Sequence, residues 1–166
     1  MELCVSICAL MLSCVSVFWQ VINGVKRLNV EISEWYINKT KNDSIHYVFR
    51  LAFINKSFNS ISISAISIKY GSHTENFDFQ KTTLLFKSVL DDDGSKAYEN
   101  RLYSSEIPFR IDGLGVYSGY FGIWDLPDPE LICENETAEI IIYTNRGKVK
   151  KKIIVPKLKD IHDIRF

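Results

Sequence analysis

Lys148, Lys150 and Lys152 stand at alternate positions near the end of the chain, with Lys151 between two of them and Arg146 just ahead. On an extended strand, alternation places the first three on one face. A row of ammonium groups at that spacing suits the binding of anions. Near a membrane surface each basic residue is worth about 1 kcal/mol of attraction to anionic headgroups. Lysines also protect edge strands from pairing with other chains. The row is therefore expected either as edge protection or as a membrane-facing surface made by Arg146, Lys148, Lys150 and Lys152 together with Lys26 and Arg27. A second group is aromatic: Trp35, Tyr36, Tyr117, Tyr120 and Trp124. In a β-rich domain most such rings fill the core. Rings exposed in a row would instead stack on sugars, and Trp35, Tyr120 and Trp124 are the candidates for that role.

Other chemistry finds little support. The three histidines, His46, His73 and His162, fall at no metal-ligand spacing, and Cys133 has no histidine near it in sequence. Asp91-Asp92-Asp93-Gly94 invites a calcium reading. The EF-hand pattern needs an outer acid where Val89 stands and a glutamate where Asn100 stands. Gly113-x-Gly115 opens like a dinucleotide loop, but Ser118 occupies the third glycine's place and no βαβ context surrounds it. Asn38, Asn42, Asn55 and Asn135 each head an N-x-S/T triplet, which chance explains in so asparagine-rich a chain. No catalytic residue, cofactor or metal is expected.

The elements that must carry these residues show a period of two. Leu28, Val30 and Ile32 alternate with polar residues, and Ile45, Tyr47, Phe49, Leu51 and Phe53 do so over nine positions. Ile61 and Ile63 alternate with serines, and the phase then slips at Ala65-Ile66, as a β-bulge would make it. Residues 87–106 lose all periodicity and read as a long polar loop. Pro108 suits the start of a short strand at Ile107–Ile111. Tyr120–Trp124 reads as a buried strand. Thr137–Thr144 and Lys148–Val155 read as a hairpin about Asn145-Arg146-Gly147, where asparagine and glycine both tolerate positive φ. Seven to nine short strands at this spacing predict an all-β fold, an antiparallel immunoglobulin-like β-sandwich. The Cys…Trp…Cys core of antibody domains is absent.

Ahead of that domain, Leu3–Ile22 holds 16 apolar residues in 20, interrupted by Ser6, Ser13, Ser16 and Gln20. Twenty residues of helix span about 30 Å, the thickness of a bilayer's hydrocarbon core. A single transmembrane helix is the expected reading. A cleaved signal peptide lacks its positive n-region, since Glu2 is the one charge before Lys26. Met11-Leu12-Ser13-Cys14 resembles a lipobox faintly, but cleavage there would leave an apolar N-terminus. A helix packed in a soluble assembly remains the alternative. Ser6, Ser13 and Gln20, seven apart, would suit a homo-oligomer contact in lipid. Lys26 and Arg27 behind the helix place the domain on the cytoplasmic side by the positive-inside rule.

The expected organisation is thus an N-terminal membrane-anchoring helix with a basic flank at 1–27, a β-sandwich at 28–156, and a charged tail at 157–166 that packs loosely. The residues from Lys26 onward carry 20 basic and 19 acidic groups, a net charge of +1, which gives no field to attract nucleic acid. Three cysteines lie in the apolar segment and one, Cys133, in the domain, which suits a reduced compartment better than a disulfide scaffold. The leading expectation is a non-enzymatic binding or scaffolding module at the membrane. Its partners would be lipid through residues 3–22 and a protein still to be identified. One alternative is an extracellular carbohydrate- or ligand-binding sandwich. A more remote one is a hydrolase using loop carboxylates such as Asp91–Asp93 and Asp125.

Overall fold

The computed structural model describes residues 2–24, 27–39, 45–90, 96–126, 132 and 134–159. Lys26, Asp91–Asp93, Cys133 and His162 lie outside the described residues, and Asp125 outside the described side chains. One helix, α1 (Glu2–Gly24), precedes ten strands: β1 (Leu28–Lys39), β2 (Ile45–Asn55), β3 (Ile61–Tyr70), β4 (His73–Asn76), β5 (Thr83–Leu90), β6 (Lys96–Tyr103), β7 (Phe109–Ile111), β8 (Val116–Leu126), β9 (Thr137–Thr144) and β10 (Gly147–Ile154). All pairings are antiparallel. One sheet runs β1-β2-β8, and a second runs β10-β9-β3-β4 with β7 also on β3. The β5-β6 hairpin stands apart.

The core follows from the alternation. Tyr47, Phe49, Leu51 and Phe53 of β2 and Ile61, Ile63, Ile66 and Ile68 of β3 are buried in one cluster with Ile140 and Ile142 of β9. Edge-to-face contacts tie the sheets together, as between Phe53 and Phe109 at 5.4 Å. Each such side chain removed from water contributes about 1.5–3 kcal/mol. Two sheets sharing one core are consistent with an all-β sandwich. The slip expected at Ala65-Ile66 is present: the β3–β9 register shifts between Ile63 and Ala65. In the β9-β10 turn only Gly147 takes positive φ (96°), not Asn145, so the glycine alone supplies the left-handed residue that closes the turn.

Two expectations are corrected. Residues 87–106 are not a structureless loop, since β5 and β6 pair from Thr83↔Tyr103 to Leu90↔Lys96. This hairpin lies against the outer face of the first sheet, where Leu84 and Leu102 pack with Tyr36, Val48, Tyr120 and Trp124. The start of the charged tail is also firmly placed. Val155 and Leu158 pack on the core, and the Lys159 amide donates to the Trp35 carbonyl at 3.2 Å.

Every described side chain of α1, from Val5 to Gln20, is exposed. Those 16 residues make about 24 Å of helix, and among the described residues no helix is long and apolar enough to cross a membrane. The Trp19 ring meets Phe58 at 6.4 Å.

A buried asparagine organises the end of the domain from which α1 leaves. Asn55, 1% exposed, donates through Nδ2 to the carbonyls of Asn59 and Asp112, both at 2.9 Å, and its Oδ1 accepts from the Ser57 amide at 3.0 Å. Its burial removes it as a glycan acceptor. The Lys56 amide donates to the Arg27 carbonyl at 2.7 Å and the Leu114 amide to Ser57 at 2.9 Å. Gly113 is obligatory here, because a Cβ would lie 1.7 Å from the Phe58 carbonyl oxygen. Asn55→Ala leaves those carbonyls without a donor and is expected to cost about 2–3 kcal/mol. Asn55→Asp turns a carboxylate oxygen onto both carbonyls and is expected to cost more. Urea denaturation followed by tryptophan fluorescence measures both, and an equal or smaller loss for Asn55→Asp would refute this role.

Candidate functional site

Sequence reasoning nominated a basic strand and a set of aromatic rings, and the structure treats them differently. On β10, Lys148, Lys150 and Lys152 are exposed, while Val149 and Ile153 turn inward onto the core. The three lysines thus share the outer face, as alternation requires. Lys148 Nζ lies 5.0 Å over the Tyr143 ring, and Lys150 Nζ lies 3.7 Å from a Glu139 carboxylate oxygen. Lys152 borders a shallow depression with Lys69, Gly71, Thr137 and Glu139.

Arg27 and Lys150 come together. With Leu28, Asn29, Lys56, Val149 and Lys151 they line a groove of about 480 Å³ between the start of β1 and β10. Lys56 and Lys151 were not among the sequence candidates, because only the strand topology carries them there. Registers place further groups at the same end. Leu28 faces Asn55, Ile54 faces Val116, Ile61 faces Ile111 and Ile63 faces Thr144. The β2-β3 loop, the β7-β8 loop and the β9-β10 turn therefore share one end of the sandwich with Arg27. Arg146 belongs to it, since the Asn145 amide donates to Ser62 at 3.0 Å. So does Arg110, paired at 3.5 Å with Asp112. Phe58, Leu114 and Val116 are exposed there at 59, 64 and 66%.

The aromatic candidates are committed to contacts within the chain. Trp35 is 1% exposed, stacks with Tyr47 and Phe49 at 6.0 and 5.9 Å, and donates from Nε1 to the Pro156 carbonyl at 2.7 Å. A ring so placed is a core residue and offers no surface to a sugar, which corrects that expectation. Tyr120 and Trp124 flank Gly122 on the outer face of β8, half-buried beside Leu84 and Leu102. Trp124 Nε1 donates to Asp78 at 2.8 Å, and its ring meets His46 edge-on at 4.4 Å. A Cβ at Gly122 would come within 2.8 Å of the Trp124 ring, so glycine lets the indole lie flat against the strand.

The strongest electrostatic feature of the domain was not foreseen. The β1 register shifts between Ile32 and Glu34, which turns Glu34 to the outer face beside Tyr36. There it is 8% exposed and saturated with donors. Arg50 Nη1 at 2.8 Å and the Tyr120 hydroxyl at 3.2 Å reach Oε1; the Tyr36 hydroxyl at 2.9 Å and Lys159 Nζ at 2.7 Å reach Oε2. Burial pushes its pKa up, but hydrogen bonds from Lys159, Arg50 and Tyr36 outweigh it and hold the carboxyl at about 2 against an ordinary 4.5. The Tyr36 hydroxyl is raised by burial and by its bond to Glu34. A carboxylate so low, with both oxygens engaged, does not exchange protons near neutral pH. It acts as a clamp joining three strands to the C-terminal segment. The available signal was the phase of the apolar residues, which run 28, 30, 32 and then 35, 37.

Among the described residues no group of three His, Cys, Asp or Glu side chains could hold a metal ion. Cys8 and Cys14 are free and exposed on α1. No protein-family model matches the chain and no curated relative was found for it, so its function must be argued from geometry.

The clamp makes a pH prediction. Folding lowers the Glu34 pKa, so the folded state binds that proton more weakly than the unfolded chain. Its stabilisation is complete above about pH 5 and disappears as pH falls from 4.5 towards 2. Glu34→Gln is expected to cost on the order of 3 kcal/mol at pH 7 and progressively less on acidification. Thermal melts of both proteins across pH 3–7 test this, and a gap that does not narrow below pH 4 would remove Glu34 from the account.

Proposed function

We propose that this chain is a single-pass membrane protein whose immunoglobulin-like β-sandwich serves as a non-enzymatic binding module at the membrane surface. The observation that carries the reading is the contrast between α1 and the domain. The sandwich completes its own core, whereas Val5, Ile7, Leu10, Met11, Leu12, Val15, Val17, Phe18 and Trp19 all stay exposed. At 100° per residue they spread over about two thirds of the helix circumference, and Ser6, Ala9, Ser13, Ser16 and Gln20 share the remaining strip. A helix partner would cover one side, while lipid covers all. The flanking Leu3, Cys4, Val21 and Ile22 bring the apolar run to 20 residues, about 30 Å of helix. Lys26 and Arg27 behind it, against Glu2 ahead, favour the cytoplasmic side for the domain.

Strand order supports the finer fold assignment. Immunoglobulin folds set strands A, B and E in one sheet and C, F and G in the other. Taking β1, β2 and β8 as A, B and E, and β3, β9 and β10 as C, F and G, gives the two sheets of this chain, with β4 as an added strand beside C. The absence of enzymatic machinery is part of the proposal, resting on Glu34 being held as a clamp and on the sequence's lack of a nucleophile with a base.

Alkaline carbonate extraction of membranes tests the anchor. The chain is expected to stay in the pellet, and a double variant, Leu12→Arg with Val15→Arg, to move mostly into the supernatant, since each arginine at a helix centre costs about 2.5–3.5 kcal/mol on insertion. A wild-type chain washed out by carbonate would refute the anchor. A cytoplasm-dependent fluorescent reporter fused after Phe166 tests the side. Fluorescence is the expected result, and activity of an externally folding phosphatase at the same position would reverse the orientation.

A further inference from the structure

We infer that the end of the sandwich from which α1 leaves docks onto an anionic bilayer surface. Phe58 and Leu114 enter the headgroup zone beside a basic groove lined by Arg27, Lys56, Lys150 and Lys151. This rests on the anchor reading and adds to it a partner, an orientation and residues that sequence alone did not nominate.

Three independent observations converge on that end. The first is depth. Trp19 lies five residues before Gly24, about 7–8 Å back along the helix, where an interfacial aromatic belongs. Its ring meets Phe58 at 6.4 Å, so with α1 across a bilayer the β2-β3 loop lies within reach of the headgroups, and the attraction of the cations decides whether it enters. The second is exposed apolar surface. Phe58 and Leu114 are 59% and 64% exposed at adjacent loop tips, and those tips are held rigidly by the Leu114 amide on Ser57 and by the Asn55 hydrogen bonds. An ordered loop that presents a phenyl ring and a leucine to water beside a membrane helix has lipid within reach as their cover. The third is charge. Arg27, Lys56, Lys150 and Lys151 line one groove, and Arg110, Arg146 and Lys148 lie at the same end; Asp112 pairs with Arg110 and Glu139 with Lys150, which leaves the cations in excess. The chain as a whole is neutral, so this concentration of cations is a local property of one end. It is complementary to phosphate-bearing headgroups, which draw basic residues to within a Debye length.

The test is hydroxyl-radical footprinting of the full chain, read by mass spectrometry. The chain is placed in detergent micelles, in phosphatidylcholine nanodiscs, and in nanodiscs containing phosphatidylglycerol. Labelling of Phe58 and Leu114 is expected to fall several-fold only in the anionic discs and to recover in high salt. Ile154, 70% exposed at the opposite end of β10, stays labelled throughout. Each basic residue removed is expected to shift the docked fraction about fivefold, so Lys56→Glu combined with Lys150→Glu should abolish the protection, while Ile154 labelling confirms the fold. Equal labelling in anionic discs and micelles, by a chain that still resists carbonate, overturns docking and leaves the anchor intact. Equal protection on neutral and anionic discs overturns recognition by charge. A chain stripped by carbonate overturns both.

Discussion

Two cations and two phenols converge on the Glu34 carboxylate, and much of the domain's order depends on that convergence. The donors come from separate parts of the chain: Tyr36 in β1, Arg50 in β2, Tyr120 in β8 and Lys159 beyond β10. Each would be a weak interaction in water, where exposed ion pairs contribute little. A carboxylate only 8% exposed changes that balance, because losing any one donor leaves a buried charge less well compensated. Arg50 and Lys159 keep about half of their side-chain surface in water, so the cations remain partly solvated while the anion does not. The bulge at Ser33 is the geometric precondition. If alternation ran unbroken through Ser33, Glu34 would point into the apolar core and Trp35 out of it.

The two ends of the sandwich are built differently. At the α1 end, Asn55 binds two loops to each other through main-chain carbonyls, Arg27 is held by the Lys56 amide, and Gly113 lets the backbones touch. Such packing leaves little freedom for Phe58 and Leu114 to fold inward, so their exposure is a property of the ordered structure. At the other end lie the β8-β9 connection, where Glu134 accepts from the Leu158 amide at 2.9 Å, and the β3-β4 turn at Gly71, whose φ of 54° suits glycine.

Local pattern made the strands legible. The alternation in β2, the slip in β3, the β9-β10 hairpin and the shared face of Lys148, Lys150 and Lys152 were all readable, because each depends on neighbours a few residues away. What was not readable depends on distant partners. Among the described side chains of the β5-β6 hairpin, Leu84 and Leu102 pack against the first sheet, and they stand 18 residues apart in sequence, beyond the reach of a local period. The apolar residues on the supposedly polar face, Val48 and Tyr36, were its one trace. Glu34 looks like any surface glutamate until the strand phase is followed through Ile32 to Trp35. Lys56 and Lys151 join the basic groove through chain topology, which no spacing rule reports. The start of the tail, residues 157–159, departs from its expected loose packing for the same reason: its charges suggest solvent, but Lys159's partner lies 125 residues away.

The physical problem left by the domain is the helix. Nine large apolar side chains on α1 face solvent, and moving them from water to hydrocarbon is worth on the order of 10–20 kcal/mol, as much as the whole stability of an ordinary domain. Most of the sandwich's described apolar side chains are already paired between sheets or under the β5-β6 hairpin, and Phe58, Leu114 and Val116, which stay exposed, sit at the end from which the helix leaves. Among the described contacts between helix and domain is the ring pair of Trp19 with Phe58, at the end of the helix nearest the domain. Apolar residues over about two thirds of the helix circumference are more than one partner helix covers, which is the physical ground for the proposed lipid anchor, and in that proposal the cations that follow the helix would hold the domain against the headgroups rather than let it swing free.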